Sequence, residues 1–215
     1  MGDASPFVTS PRQQVAQVGG FVRAHVAALG RRRGLAAFAR TMGSFVVLRR
    51  QIGRSNAPMV DDAVAISVAM YRTLRTYVGD TEALEIVEAE IVSTGTEMMQ
   101  GWIPTNRTMS ALGDQVAIIM GDAESRDIYE IEGMEAGDSS ISWDVTACRY
   151  AALTRMLGSP EVGRVFCAVD GPFVEQALPE IDFSCSTTIA RGDDRCQFRV
   201  GDAVAVQLSP RTEPT

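Results

Sequence analysis

The sequence predicts an α+β fold, in which a helical N-terminal half packs with a small antiparallel sheet and helices in the C-terminal third. Apolar residues recur every three or four positions over 11–120, which is the period of a helix. From residue 127 the pattern changes to short alternating segments punctuated by Gly and Ser, which is typical of antiparallel strands. No linker rich in Pro, Gly or Ser separates the two parts. We therefore expect residues 1–215 to form a single domain, with 1–10 as a loose tail and 127–203 as the α+β part.

Five helices are predicted in the N-terminal half. They span 11–30, 34–54, a third from Asp61 or Asp62 to Val78, then 82–100 and 107–120. Either aspartate is a candidate N-cap, because its carboxylate can accept a hydrogen bond from a free amide of the first turn. The fourth helix has the clearest apolar stripe, formed by Leu84, Val87, Ile91 and Met98. Each helix thus offers one apolar face to a common core.

The C-terminal part is predicted as strands 127–134 and 139–147, followed by helices and a hairpin. A helix covers 149–158, and a second begins at Ser159-Pro160, with Ser as N-cap and Pro in the first turn. Asp170-Gly-Pro ends or bends that helix, and a further helical piece runs to Leu178. Strands 182–190 and 195–200, joined by the turn at 191–194, complete the chain. In such a hairpin Cys185 and Cys196 point to one side.

Composition narrows the function classes. The net charge is −7 and no apolar run approaches the roughly 18 residues of a membrane span, so we expect no nucleic-acid partner and no membrane partner. The N-terminal stretch lacks the pattern of a secretory signal, and we expect a cytoplasmic protein. Residues 1–60 hold nine arginines and one acid. Basic helices of this kind suit the acidic surface of the same chain or of a second subunit, so a homo-oligomer is possible.

Four cysteines lie in the last third of the chain: Cys148, Cys167, Cys185 and Cys196. None forms a C-x-x-C pair, and free thiols are the default in a reducing compartment. Cys148 falls where a strand gives way to a helix, a position that lowers a thiol pKa through the helix dipole. Cys167 and Asp170 are three residues apart and share a face if the helix persists. Cys148, Cys167, Asp170 and Cys196 are the catalytic candidates.

Plainer interpretations of the same residues stay open. A free cysteine is usually a small buried hydrophobe, and Asp170 before Gly-Pro is also a plausible helix cap or turn residue. Three cysteines and an aspartate could bind zinc, but the spacing is irregular, so we expect no cofactor and no metal. His25, the only histidine, lies in a helical stretch and is predicted to pack in the core. Motifs of common hydrolases, nucleotide sites and dinucleotide sites are missing.

Residues 143–199 resemble the C-terminal signature of the L-2-amino-thiazoline-4-carboxylic acid hydrolase family. The matching positions are Cys148, Gly158, Pro160, Cys167, Asp170, Thr188, Gly192, Cys196 and Phe198. The resemblance implies hydrolytic opening of a cyclic amidine, in which water adds to the C=N carbon. It implies either an activated water or a nucleophile, for which the thiolate of Cys148, Cys167 or Cys196 is a candidate. It also implies that Asp170 holds the amidinium or moves a proton, and that an arginine clamps the substrate carboxylate.

The chain departs from the signature at two places. It has Cys185-Ser186 where Arg-Thr is expected, and Gln197 where Asp is expected. If the missing arginine holds a carboxylate, then Arg191, Arg195 or Arg155 replaces it, or the substrate differs. Thr188, Arg191 and Arg195 are the candidate substrate-binding residues. The function predicted is a hydrolase-like enzyme of specialised biosynthesis acting on a small cyclic amidine, thiazoline or related amino-acid-derived molecule.

Two other classes remain. The last third also resembles vinyl-reductase-like ligand-binding domains, which end in a Gly turn followed by a Cys-x-Phe strand, so a module that binds a small molecule or zinc is one alternative. The other is a non-catalytic oligomeric accessory protein whose long helices carry an interface. An accessible cysteine with a lowered pKa would favour the enzyme.

Overall fold

A computed structural model describes the backbone of residues 11–104 and 106–202, and the side chains from Val18 to Gly201 apart from Thr105. The predicted loose tail, 1–10, lies outside the described residues. The helices are α1 (Pro11–Leu29), α2 (Arg31–Ile52), α3 (Pro58–Val78), α4 (Asp80–Met99), α5 (Met109–Ser125), α6 (Arg149–Met156), α7 (Gly163–Cys167) and α8 (Asp170–Ala177). The strands are β1 (Tyr129–Ala136), β2 (Ser140–Cys148), β3 (Ile181–Cys185) and β4 (Cys196–Asp202). The predicted α+β class is confirmed.

Helix α3 is the centre of the helical part. It packs against α2, α4 and α6, and its inner positions, among them Val60, Val64, Val68 and Leu74, are fully buried. Burial of branched aliphatic side chains at this spacing is the main force that holds the helices together. Within the described residues, no helix is long and apolar enough to cross a membrane.

The predicted start of α3 is wrong by three residues. The helix begins at Pro58 in the N1 position, where the fixed φ of proline suits a helix and its missing N–H costs nothing. Asp61 therefore lies inside the first turn and does not cap it. It is completely buried and binds Arg149 of α6, with Oδ1 2.8 Å from Nε and 2.7 Å from Nη2. A residue predicted as a local cap instead joins the two parts of the molecule.

The four strands form one antiparallel sheet in the order β1-β2-β4-β3. The predicted pairing of the two C-terminal strands is confirmed, but the first of them ends at Cys185 and not at residue 190. A 3-10 turn, Ile189–Arg191, follows, and Gly192 adopts a left-handed conformation with φ 105°. Cys185 lies opposite Phe198, whereas Cys196 lies opposite Val145 of β2. By this register both cysteines are on the same face of the sheet as Phe198.

The helix predicted from Ser159 is broken into three pieces. A 3-10 turn, Pro160–Val162, leads into α7. The helix is interrupted by a turn at residues 168–169 before α8 begins at Asp170. Ser159 does not cap the helix; its hydroxyl accepts a hydrogen bond of 3.1 Å from Arg72 Nε. Asp170-Gly-Pro thus starts a helix, since proline is tolerated in a first turn. Cys167 and Asp170 belong to separate helices.

Two apolar cores result. One lies among α1–α4, α6 and α7, and the other lies between one face of the sheet and α5 and α8. Met99, Met120 and Tyr129 pack against both. On the outer surface of α2, Leu35, Val46 and Val47 are exposed. The homo-oligomer stays a prediction.

Candidate active site

A cavity of about 580 Å³ lies where the two cores meet. Helices α1 to α5 form one side of it, and the sheet with α7 and α8 forms the other. Most of its wall is aliphatic, aromatic or methionine side chain. The polar groups that line it are gathered mainly at the end formed by β2, β4, α6, α7 and α8.

Four separate elements bring the predicted catalytic residues to this cavity. Cys148 is the last residue of β2, Cys167 the last of α7, Asp170 the first of α8 and Cys196 the first of β4, and all four line the wall. Cys185 does not line it, and its thiol lies 3.3 Å from the carbonyl oxygen of Thr187, to which it donates a hydrogen bond. Three thiols and one carboxyl group, carried by four separate elements, therefore line one cavity.

A glycine of α4 allows the segment that carries Asp170 to approach. A Cβ on Gly95 would lie 2.8 Å from Cγ1 of Val169, which is closer than two carbon atoms can pack. Glycine is the residue that permits such an approach. Val169 is buried in this contact, so it fixes the position of the next residue, Asp170.

Burial controls the protonation of the thiols. It raises the pKa of Cys148 to about 11 even though the backbone amides of Ala151 and Tyr150 act in the opposite direction. Burial also raises the pKa of Cys196, raises that of Cys185 to about 12, and raises that of Cys167 further still. The expected lowering of the Cys148 pKa is wrong, because desolvation of a thiolate outweighs the start of a short helix. The thiols are protonated at neutral pH.

Asp170 is the group in the cavity that titrates near neutrality. Burial raises its pKa to about 7. Among the described residues, none forms a hydrogen bond or an ion pair with its carboxyl group. Since both protonation states are populated at neutral pH, Asp170 can accept a proton and return it.

Aromatic side chains that the sequence analysis did not select complete the polar end. The rings of Tyr129 and Tyr150 lie 6.3 Å apart, and Tyr150 is 4.7 Å from Phe166. Burial raises the pKa of both phenols, which remain hydrogen-bond donors. Tyr129 pairs with Cys148 across the β1–β2 ladder, and Tyr150 follows that cysteine by two residues. Tyr150 could have been selected from the sequence because it lies so close to Cys148 along the chain. Tyr129 could not, because the register of β1 with β2 sets its pairing.

Trp143 adds one further donor. Its ring stacks on Phe198 at 5.1 Å with an interplanar angle of 9°. Trp143 is only 6% exposed, and its Nε1–H has no hydrogen-bond partner among the described residues. Because an unpaired buried donor is costly, this group is suited to receive an acceptor atom from a ligand.

The sequence of the chain matches one known protein family. A model of the family described as L-2-amino-thiazoline-4-carboxylic acid hydrolase matches residues 61–200. The chain belongs to this family. No curated protein and no solved structure matches. The matched range begins in α3 and ends in β4, so it contains the cavity residues of the α+β part together with those of α3 to α5.

The candidate substrate-binding residues lie outside the described cavity wall. Arg195 Nη1 donates a hydrogen bond of 2.9 Å to Asp144 Oδ2, and Arg191 is exposed. Thr188 is buried; its amide donates to Asp193 Oδ2 at 2.7 Å, and its hydroxyl has no partner among the described residues. Arg155 donates to the carbonyl oxygen of Ile189. These positions give no support to a carboxylate-binding role.

The two departures from the family signature lie next to each other. The Ser186 hydroxyl is 3.4 Å from Oε1 of Gln197, and both residues are exposed. Cys185, where the resemblance implies an arginine, faces the same side of the sheet as Phe198. Among the described lining residues there is no arginine. The described part of the wall therefore offers no guanidinium group to a substrate carboxylate.

Two further expectations concern metal and histidine. Among the residues described, no group of three or more His, Cys, Asp or Glu side chains could hold a metal ion, so the geometry lends the zinc-binding alternative no support. His25 is confirmed as a core residue. It is fully buried, Nδ1 donates 2.7 Å to the carbonyl oxygen of Phe21, and Nε2 accepts from the Thr41 hydroxyl at 2.9 Å. Burial lowers its pKa.

Proposed function

We propose that the protein is a hydrolase that opens a cyclic amidine, such as a thiazoline or a related amino-acid-derived ring, inside this cavity. One observation carries the proposal: three thiols and a carboxyl group that titrates near neutrality share the cavity of a chain belonging to a hydrolase family. The family name supplies the type of ring, and the cavity supplies the groups that could act on it.

The polar end of the cavity suits an amidine head. An amidinium has two N–H groups that can donate to the Asp170 carboxylate, in a charge-assisted pair. The faces of Tyr129 and Tyr150 are surfaces on which a planar cation can rest. Binding of the cation also favours the ionised form of Asp170, because an opposite charge nearby lowers a carboxyl pKa.

The reaction is the net addition of one water molecule. Asp170 takes a proton from the attacking group as a bond forms to the C=N carbon. The bond from that carbon to one ring heteroatom then breaks, and the proton passes to that heteroatom. This role needs a base with a pKa near the working pH, which the isolated position of Asp170 provides.

Cys148, Cys167 and Cys196 have one of two roles in this scheme. A thiol attacks the ring carbon after Asp170 has accepted its proton, and water then releases the product. Alternatively, water attacks directly. The thiols then donate hydrogen bonds to the leaving heteroatom, which receives its proton from Asp170. A covalent adduct on the intact protein, seen by mass spectrometry during turnover, distinguishes the first course from the second.

The test is ring opening of a series of 2-aminothiazolines and related cyclic amidines, followed by chromatography and mass spectrometry. Asp170→Asn should lower kcat/KM by roughly 100-fold or more, in the range of a lost general base. Cys→Ser variants at 148, 167 and 196 show which thiols take part. Cys185→Ser is the matched control, since this thiol lies outside the cavity wall, and it should keep the activity of the natural chain.

The pH dependence gives a second readout. If Asp170 acts as a base, kcat/KM rises with pH through about 7 as the carboxyl ionises, and Asp170→Asn removes this rise. Full activity of Asp170→Asn, or an equal loss in Cys185→Ser, would contradict the proposal.

A ligand-binding module is the second candidate, and the protonated state of the thiols favours it. A cavity of this size with no ready thiolate can hold a small molecule without transforming it. Saturable binding of cyclic amidines without product would support this candidate over the hydrolase.

A further inference from the structure

The end of the cavity formed by α1 to α4 has a different chemistry from the polar end. Its wall is built of Phe21, Phe38, Met42, Phe45, Ile66 and Met98. Two polar residues on this side are already paired. The hydroxyl of Thr94 donates 2.9 Å to the carbonyl oxygen of Glu90, and the Asp62 carboxylate accepts from Arg49 at 2.5 Å. A polar substituent placed here would find few free partners and would lose its hydration.

The cavity is also too large for a single small ring. Its volume of about 580 Å³ lies within the range of roughly 300–1,000 Å³ that encloses a drug-sized molecule. Methionines contribute to the wall from α2, α3, α4 and α5, and unbranched thioethers adapt to irregular ligands. At its far side the wall reaches the exposed side chains of Val18 and Asp62. The space between them and Asp170 suits an extended apolar group.

The charged residues that line the cavity determine which head group a ligand can have. The chain contains no lysine, and among the lining residues that the structure describes there is neither arginine nor histidine. The carboxyl group of Asp170 has no ion-pair or hydrogen-bond partner in the part of the chain that the structure describes. An anionic head would therefore enter an apolar space beside a carboxylate and without a counter-ion, which is strongly unfavourable. A cationic or neutral nitrogen head is complementary to Asp170, and the unpaired indole N–H of Trp143 can donate to a neutral acceptor atom next to it.

From these three observations we infer that the natural substrate is an amphiphile, with an amidine-type nitrogen head at Asp170 and a long apolar chain directed between α1, α2, α3 and α4. It carries no carboxylate next to the ring. The inference rests on the proposed function for the identity of the head group; the apolar chain and the absence of an anion rest on the cavity wall.

Tryptophan fluorescence provides a direct binding assay, because both tryptophans of the chain, Trp102 and Trp143, line the cavity. The full-length protein is titrated at pH 8, where Asp170 is largely ionised, with decanamidine, acetamidine and decanoate, all below their micelle concentrations. Each buried methylene strengthens binding roughly fourfold before the cost of ordering the chain. Decanamidine should bind at least about 100-fold more tightly than acetamidine, and at least about 10-fold more tightly than decanoate.

Matched variants separate the cavity from the surface. Ala63→Phe places a ring in the wall of the apolar end and should weaken decanamidine at least about 10-fold while leaving acetamidine unchanged. Ala39→Phe makes the same change at an exposed position of α2 outside the wall, and should leave both affinities unchanged. Asp170→Asn should reduce the preference for decanamidine over decanoate. Circular dichroism and thermal unfolding show that each variant is folded.

The possible outcomes separate this inference from the proposed function. Equal binding of decanamidine and acetamidine, or equal effects of Ala63→Phe and Ala39→Phe, overturns the apolar chain. Decanoate binding as tightly as decanamidine overturns the choice of head group. Tight, variant-sensitive binding of decanamidine together with no hydrolysis of any cyclic amidine supports the inference and contradicts the proposed function alone.

Discussion

Two carboxyl groups occupy opposite electrostatic environments: Asp61, which is completely buried in the helical part, and Asp170, which is half-buried in the cavity wall. Asp61 is completely buried and surrounded by partners, since it binds Arg149 of α6, accepts from the Ser55 hydroxyl and lies 3.6 Å from Arg49. Asp170 has no cation and no hydrogen bond among the described residues, and burial raises its pKa to about 7. A paired carboxylate fixes structure, whereas an unpaired one remains free to exchange a proton. The difference makes Asp61 a structural residue of the helical part and supports the choice of Asp170 as the proposed base.

The largest effect on stability is expected at Asp61. Asp61→Asn keeps the shape of the side chain but leaves Arg149, itself only 20% exposed, without its counter-charge. Breaking a buried pair from one side costs roughly 3–5 kcal/mol, so the free energy of unfolding should fall by about that amount in urea denaturation followed by tryptophan fluorescence.

The neighbouring carboxylate is the control for this change. Asp62 is 56% exposed and pairs with Arg49 at the surface, so Asp62→Asn should change the free energy of unfolding by less than about 1 kcal/mol. Equal losses for the two variants would remove the distinction between a buried structural pair and an ordinary surface pair.

Asp170→Asn should raise the free energy of unfolding, whereas Asp61→Asn lowers it. The folded protein holds the Asp170 proton more tightly than the unfolded chain does, so stability falls as pH rises from about 4 to about 7 and stays at the lower value above it. An amide carries no charge and escapes this cost. The variant should therefore be more stable than the natural chain by up to roughly 4 kcal/mol at pH 8, and by less at pH 5.

Thermal unfolding of both chains across this pH range measures the effect. The difference in Tm between variant and natural chain should grow as pH rises and level off above about pH 7. A destabilised variant at pH 8 would mean that the carboxylate has a stabilising partner, and would place Asp170 in the same class as Asp61.

The same two residues show how far sequence reasoning reaches. The α+β class and most helix positions follow from local periodicity, and the family signature selects Asp170 together with the three cavity cysteines. The role of Asp61 depends on Arg149, 88 residues away, and no local pattern reveals that pair. The raised pKa of Cys148 likewise depends on burial by distant elements, so its place at a helix start predicted the wrong direction.

The sequence also could not predict which groups the charged side chains on the sheet contact. Arg191 and Arg195 were candidates because the resemblance implies an arginine where the chain has Cys185, and either residue could replace it. The register of β2 with β4 decides otherwise, because it brings Arg195 close to Asp144 and away from the cavity wall. The position of a residue in the sequence can place it at the end of a strand. Which groups it contacts depends on the alternation of side chains along the strand and on the register with the neighbouring strand.

Arg195 provides the smallest expected effect and completes the comparison of carboxylates. Its pair with Asp144 is exposed on the arginine side by 47%, and surface pairs of this kind contribute little to stability. Arg195→Ala should therefore leave the midpoint of urea unfolding almost unchanged. Since the side chain is absent from the described cavity wall, the KM for a cyclic amidine should change less than about twofold. A large rise in KM limited to substrates that carry a carboxylate would restore this arginine as their binding partner. It would also mean that a bound substrate draws Arg195 away from Asp144. The cavity would then contain a cation when substrate is bound, and the surroundings of Asp170 would resemble those of Asp61.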